Sequence, residues 1–176
     1  MWRVFLLAAL LPTSALATPV RDSSVPMVAV ALYDGARLLG HWFEVAQTPS
    51  FLEQDCHGTT ADVARREDRR MTLKIACHKT SPTGPVLPIE GVLAETDPGI
   101  FDFRPVHLPE IGDPLLVVLW QSADDSLATI GAPQGELGWI WSKSAHPDPQ
   151  TLQMAKQALV SAGYSELAIK LVEQAP

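Results

Sequence analysis

The stretch "RLLGHWFEVAQTP", residues 37–49, decides how this chain folds. It places Trp42 two residues after Gly40, at the head of a segment that otherwise reads as a strand. Tryptophan is bulky and normally packed. Glycine weakens a strand unless the backbone has to bend or approach another group closely there. The pair therefore predicts a bend that delivers a large ring to one defined place.

Working outward from residue 41, short apolar runs recur between turn signals. "HWFEVAQT" (41–48), "GTTADVA" (58–64), "MTLKIACH" (71–78) and "LPIEGVLAE" (87–95) are followed by "IFDFRPV" (100–106), "LLVVLWQ" (115–121), "LATIGA" (127–132) and "LGWIWSK" (137–143). Alternation is clear where one face is polar. Met71, Leu73 and Ile75 alternate with Thr72, Lys74 and Ala76, and Phe101 and Phe103 alternate with Asp102 and Arg104. Fifteen prolines in 176 residues favour short strands over long helices. Eight candidates at near-regular spacing predict an antiparallel sandwich or an up-and-down barrel. One segment reads as a helix: Asp148 as N-cap, Pro149 in the first turn, Leu152, Ala155, Leu159 and Ala162 on one face, and Gly163 past the end. "LAIKLV" (167–172) is a last short strand. A single late helix must cover the outside of a sheet that has already closed. The expected fold is all-β: an eight-stranded antiparallel up-and-down barrel with one C-terminal flanking helix.

Such a barrel has an interior just wide enough for side chains or one small ligand. One end must be plugged, and Trp42 at the start of the first strand serves as that floor, with Gly40 as the hinge. Alternation then points Glu44 and Ala46 inward with Trp42. A carboxylate in an apolar cup must be hydrogen-bonded or shift its pKa upward, so Glu44 is either a satisfied structural group or a polar contact for a ligand. Phe101, Phe103 and Trp139 belong to the expected inner wall, as does Trp141, which shares their pattern. "LLVVLWQ" is apolar on both faces, and Val118 and Trp120 are assigned to the inside. The expected ligand-binding set is thus Trp42, Glu44, Ala46, Phe101, Phe103, Val118, Trp120 and Trp139. His41 neighbours Trp42 and points outward.

These segments resemble the lipocalin family, in particular its bacterial branch. "LLGHWFEVAQTP" is similar to that branch's first motif, Gly-x-Trp-Tyr-Glu-Ile-Ala, with Phe43 in place of Tyr. "LATIGAPQGELGWIWSK" (127–143) resembles the last two strands, and "AGYSELAIKLVEQ" the end of the family's chain. The likeness runs from about Tyr33 to Gln174. It implies a basic residue over the motif Trp; the matching position is Lys143 where the family has Arg, and Lys lacks the planar stacking of a guanidinium. Asp125 stands where the family has Tyr. The resemblance also implies a cavity for a small lipophilic ligand of the fatty acid or lysophospholipid class.

The first residues bear on the compartment. "MWRVFLLAALLPTSALA" (1–17) has a basic start, an apolar run and a small-x-small close, the order of a secretory signal cleaved after Ala17. No Cys near that site offers a lipid anchor. Residues 18–33 read as an N-terminal arm and 34–176 as the barrel domain. The expected location is periplasmic or secreted, which leaves open a transient contact with an envelope membrane; oligomeric state is open. Twenty acidic against thirteen basic residues argue against nucleic acid as a partner. Export favours a disulfide between the only cysteines, Cys56 and Cys77, across a hairpin turning at "RREDRR" (65–70). Zinc held by Cys56, His57, Cys77 and His78 is the weaker alternative, because neighbours on a strand point to opposite faces. That loop would stabilise the fold by roughly 3 kcal/mol. No nucleophile elbow or phosphate loop appears, so no enzyme activity, cofactor or metal is expected. The expected function is binding and transport or storage of a small lipophilic molecule. A lipocalin-fold enzyme and an envelope interaction module with a filled barrel are the alternatives.

Overall fold

The computed structural model describes residues 19–48, 53–107, 114–133, 135 and 137–175. The expected export signal, 1–17, lies outside these. The strands are β1 Gly40–Thr48, β2 Cys56–Arg65, β3 Met71–Lys79, β4 Val86–Asp97, β5 Ile100–Val106, β6 Leu115–Gln121, β7 Leu127–Gly131 and β8 Gly138–Ser142. Helix α1, Pro149–Ser161, and a two-residue β9, Lys170–Leu171, follow. Each of β2 to β8 pairs antiparallel with the strand before it in sequence, and β8 pairs back onto β1, so the sheet closes. The eight-stranded up-and-down barrel is therefore as expected.

Closure is uneven along β1. Its first half pairs with β2, Gly40↔Val63 through Phe43↔Thr60. Higher up, β9 takes that side, Ala46↔Leu171 and Gln47↔Lys170. The C-terminal segment is fastened to both flanking strands: Val172 N donates to Val45 O (3.1 Å), and Gly58 N to Glu173 O (2.6 Å).

Two apolar cores result. The inner one lines the barrel interior with Trp42, Ala61, Val63, Leu73, Ile75, Ile89, Leu93, Phe101, Phe103, Leu116, Val118, Ile130, Trp139 and Trp141. The outer one lies between the wall and α1, with Val45, Leu127, Ile140, Ala155, Leu159, Ala162 and Tyr164. Asp148 caps α1 by accepting from Thr151 N (2.8 Å). Ahead of β1 the chain packs on the outer core through Val20 and Met27 and reaches the inner one at Val30 and Tyr33, with Arg21 bridged to Tyr164 and Val30 N donating to Val118 O.

The disulfide Cys56–Cys77 is present, with Cα atoms 5.1 Å apart. With both thiols so engaged, the Cys/His zinc alternative is removed. The two cysteines are not directly opposite: Cys56 stands opposite Lys79, because the hairpin register is set by Arg65↔Met71 at the turn, and the irregularity between His57 and Thr60 shifts it by only one residue.

Candidate functional site

The closed end is built from the opening stretch. A short 3₁₀ helix, Gly35–Leu38, crosses beneath the barrel and hands the chain to Gly40, whose φ is +110°. That backbone angle suits glycine and strains other residues. A Cβ there would also lie 3.0 Å from Lys143 Nζ. Gly40 thus makes room for the cation that covers the floor. Trp42 is fully buried, its indole N–H donating to Leu38 O (2.7 Å). Lys143 Nζ sits 3.5 Å from the Trp42 ring centroid and donates to Leu39 O (3.1 Å) and His41 O (3.3 Å). The lysine thus replaces arginine as a cation over the ring. Asp125 takes part in the same base: it accepts from Arg37 Nε (2.7 Å) and from Gln121 Nε2 (3.2 Å), while the Tyr33 hydroxyl donates to Gln121 Oε1. His41 points outward and pairs with Asp62 (2.8 Å).

Above the floor, Phe101, Phe103, Val118, Trp139 and Trp141 face inward. Two expected wall residues do not. Ala46 lies in the outer core under α1. An extra residue in β1, between Glu44↔Trp141 and Ala46↔Ile140, reverses the alternation. Trp120 likewise packs on the helix side, because β6 carries an extra residue between Val118↔Ile130 and Trp120↔Thr129. Thr129 confirms the outward direction of that pair, its hydroxyl donating to Ala155 O of α1 (3.1 Å).

Glu44 does face the lumen, fully buried, and among the described residues neither carboxylate oxygen has a hydrogen-bond partner. Burial, followed by the negative charge of Glu53, pushes its carboxyl well above the usual carboxylate range; the nearby Trp141 indole partly opposes this. Glu53, which precedes β2, is buried and accepts from Trp139 Nε1 (3.1 Å). Its backbone oxygen accepts from Gln47 Nε2 (3.2 Å). Gln47 Oε1, Thr59 Oγ1 and Trp141 Nε1 are also buried and unpartnered. Sequence reasoning reached Glu44 and Trp141 but missed Gln47, Glu53 and Thr59. Gln47 is turned inward by the β1 bulge. Glu53 belongs to a connection, where no periodicity says which way a side chain points. Thr59 alone carried a signal, sharing strand parity with Ala61 and Val63.

Among the described residues no cluster of three or more His, Cys, Asp or Glu side chains is arranged to hold a metal ion. The arrangement is a plugged apolar cylinder with a small acidic patch inside it.

Comparison with solved structures returns the same architecture. Lobster apocrustacyanin A1 superposes with a TM-score of 0.64 at 14% identity, covering 81% of each chain. The cockroach allergen Per a 4 gives 0.67 at 15% identity, over 88% of this chain and 97% of the other. The siderocalin Ex-FABP gives 0.60 at 16% identity, over 80% and 96%. Comparison with curated protein sequences returns no match. The model of the lipocalin-like domain matches residues 33–174, which spans both the Gly40–Trp42–Lys143 floor and the terminal β9, and the chain belongs to that family.

Proposed function

We propose that this protein binds a small apolar or amphipathic molecule inside the barrel and carries or stores it. The observation that carries the reading is the composition of the lumen. Phe101, Phe103, Val118, Trp139 and Trp141 supply an apolar wall, while Glu44, Gln47 and Thr59 present polar atoms the chain leaves unused. Mostly apolar lining with a few convergent polar groups is the usual make-up of a small-molecule site. A protein on the same fold, the siderocalin Ex-FABP, functions through dual ligand specificities. The family resemblance supports a guest of the fatty acid or lysophospholipid class. The basic, apolar, small-residue order of residues 1–17 supports export, to a periplasm or the medium. Binding without turnover is the activity proposed, since both cysteines are bonded to each other and His41 faces away from the lumen.

Native mass spectrometry of protein purified without detergent tests this. The expected result is a co-purified small lipophile, exchangeable for added lysophospholipid with quenching of tryptophan emission. Protein that stays empty, with no quenching by any acyl-chain compound, overturns the carrier reading in favour of a filled interaction module. Hydrolysis of the added lipid overturns it in favour of an enzyme.

A further inference from the structure

The unpartnered lumenal groups form one patch. Thr60 is the register partner of Phe43, so Thr59 comes level with the next β1 residue, Glu44. On the other side Glu44 stands opposite Trp141. Three adjacent strands thus bring a hydroxyl, a carboxylate and an indole N–H to one level, all 1% exposed or less. Gln47 lies one inward position higher, opposite Trp139, with Glu53 beside both.

The patch is short of donors. Unused acceptors are both Glu44 oxygens, Gln47 Oε1 and Thr59 Oγ1. Against these stand the Thr59 hydroxyl proton, the second Gln47 amide proton and the Trp141 N–H, which lies beside Glu44, fewer donors than the acceptor lone pairs. Among the described residues no basic side chain acts on the charge state of Glu44; burial and then Glu53 raise it, and Trp141 opposes them. A buried carboxylate without a counter-charge is costly, and each buried orphan acceptor adds to that cost. What the patch lacks is a compact group with several N–H donors and a positive charge. A protonated primary amine is that group, with three donors and no acceptor. A carboxylate head would instead become a third acid among Glu44 and Glu53. Neutral alcohols supply one donor and no charge. The aromatic wall beside the patch suits an apolar body attached to the nitrogen.

We propose that Glu44, with Gln47, Thr59 and Trp141, seats the ammonium group of an apolar amine inside the barrel. This rests on the carrier reading but departs from its fatty acid guest: among amphiphiles of equal chain, the inner site selects the cationic head over the anionic one.

The test compares dodecylammonium, dodecanol and dodecanoate, each below its micellar range, by calorimetry and tryptophan quenching near neutral pH. The expected order is dodecylammonium first, at one site per chain and at least about tenfold tighter than dodecanoate, a difference of about 1.4 kcal/mol. Raising the salt should leave that preference in place, because a buried pair is screened far less than the acidic surface. Glu44→Gln should bring the ammonium and alcohol affinities together while leaving dodecanol binding unchanged. Glu90→Gln removes the same charge from the exposed pair with Lys74, and should leave the preference intact. Thr59→Val, which removes one acceptor and keeps the shape, should weaken ammonium binding several-fold, and it serves if Glu44→Gln does not fold. Dodecanol binding without any ammonium preference would overturn the amine seat, leave the patch to water alone, and keep the carrier reading. Failure of all three probes to bind would overturn the carrier reading itself.

Discussion

The base of the barrel and the lumen just above it treat polar groups in opposite ways. At the base, the Trp42 indole, Lys143, Arg37, Gln121, Tyr33 and Asp125 all find hydrogen-bond partners within the chain. One strand level higher, Glu44, Thr59 and Trp141 find no such partner among the described residues, though they are more deeply buried than Lys143 or Asp125. The rings of Trp42 and Trp141 are only 6.5 Å apart, centroid to centroid, so the change happens across one aromatic layer. A satisfied network fixes one arrangement and rigidifies it. An unsatisfied one keeps binding capacity at a cost in stability. The base is built to hold the barrel shut, and the lumen to leave something unfinished.

The largest expected break in that contrast is Trp42→Ala. Removing a fully buried indole from the floor should cost about 3–5 kcal/mol, because the surrounding strands are tied to each other and cannot collapse fully into the void. Urea unfolding would show this as a lower midpoint with unchanged slope. A loss below about 1 kcal/mol would mean the ring is not the keystone of the base.

Glu44→Gln should act in the opposite direction. In the empty protein the folded carboxyl sits above its unfolded value, from burial first and Glu53 second. Below the ordinary carboxylate range both states are protonated and the charge costs nothing. As pH rises the unfolded chain releases its proton first, so stability falls until the folded carboxyl ionises too. Asp68 and Asp124, held down to about 2 by their hydrogen bonds to Arg70 and to Ser122 and Ser126, act at the acid end and do not enter this window. The wild-type melting temperature should therefore drop as pH rises above the ordinary carboxylate range, and the variant's should drop less. At the upper end the variant should be more stable by about 1–3 kcal/mol, the usual cost of a buried unsatisfied group. Equal pH slopes for the two proteins would mean that Glu44 is partnered in solution.

How far the sequence led can be judged at the same two levels. The base was legible because its chemistry is local. Gly40, Trp42 and the wall alternation sit in one short run, and Lys143 ends a strand whose tryptophans mark the inner face. The lumen was legible only until the alternation reversed. Val45–Ala46 in β1 and Leu119–Trp120 in β6 lie where α1 or the N-terminal arm covers the outer face. Both faces are apolar there, so an inserted residue leaves no polar-apolar signature behind it. The bulges consequently moved Ala46 and Trp120 outside and brought Gln47 in, without a trace in the hydropathy pattern. Glu53 was hidden for a different reason: its inward direction is set by Gln47 and Trp139, which are distant partners or belong to other elements.

Gly40→Ala probes the base more gently than loss of its ring. A Cβ at φ +110° is strained whatever the space around it, and here it would also press on Lys143 Nζ. The expected cost is about 1–3 kcal/mol. The lysine is the softer of the two clashing groups, so part of the loss should appear as displacement of the cation from the ring. A change in tryptophan emission accompanying the drop in stability would report that displacement.

The smallest effect is the most informative about the departure from arginine. Lys143→Met keeps the apolar stem and removes the ammonium. The group is exposed enough that its contact with Trp42 should contribute only about 0.5–1 kcal/mol. Its hydrogen bonds to Leu39 O and His41 O tie the 3₁₀ crossing to β8, and their loss should show mainly as faster amide exchange at residues 39–41 rather than as global unfolding. Lys143→Arg should restore the cation and add planar stacking. Protection at those amides equal to or above wild type in the arginine variant, with the methionine variant well below, would locate the lysine's work in latching the floor. Equal exchange in all three would assign the latch to Gly40 and Trp42 alone, and the cation to solubility at an exposed end.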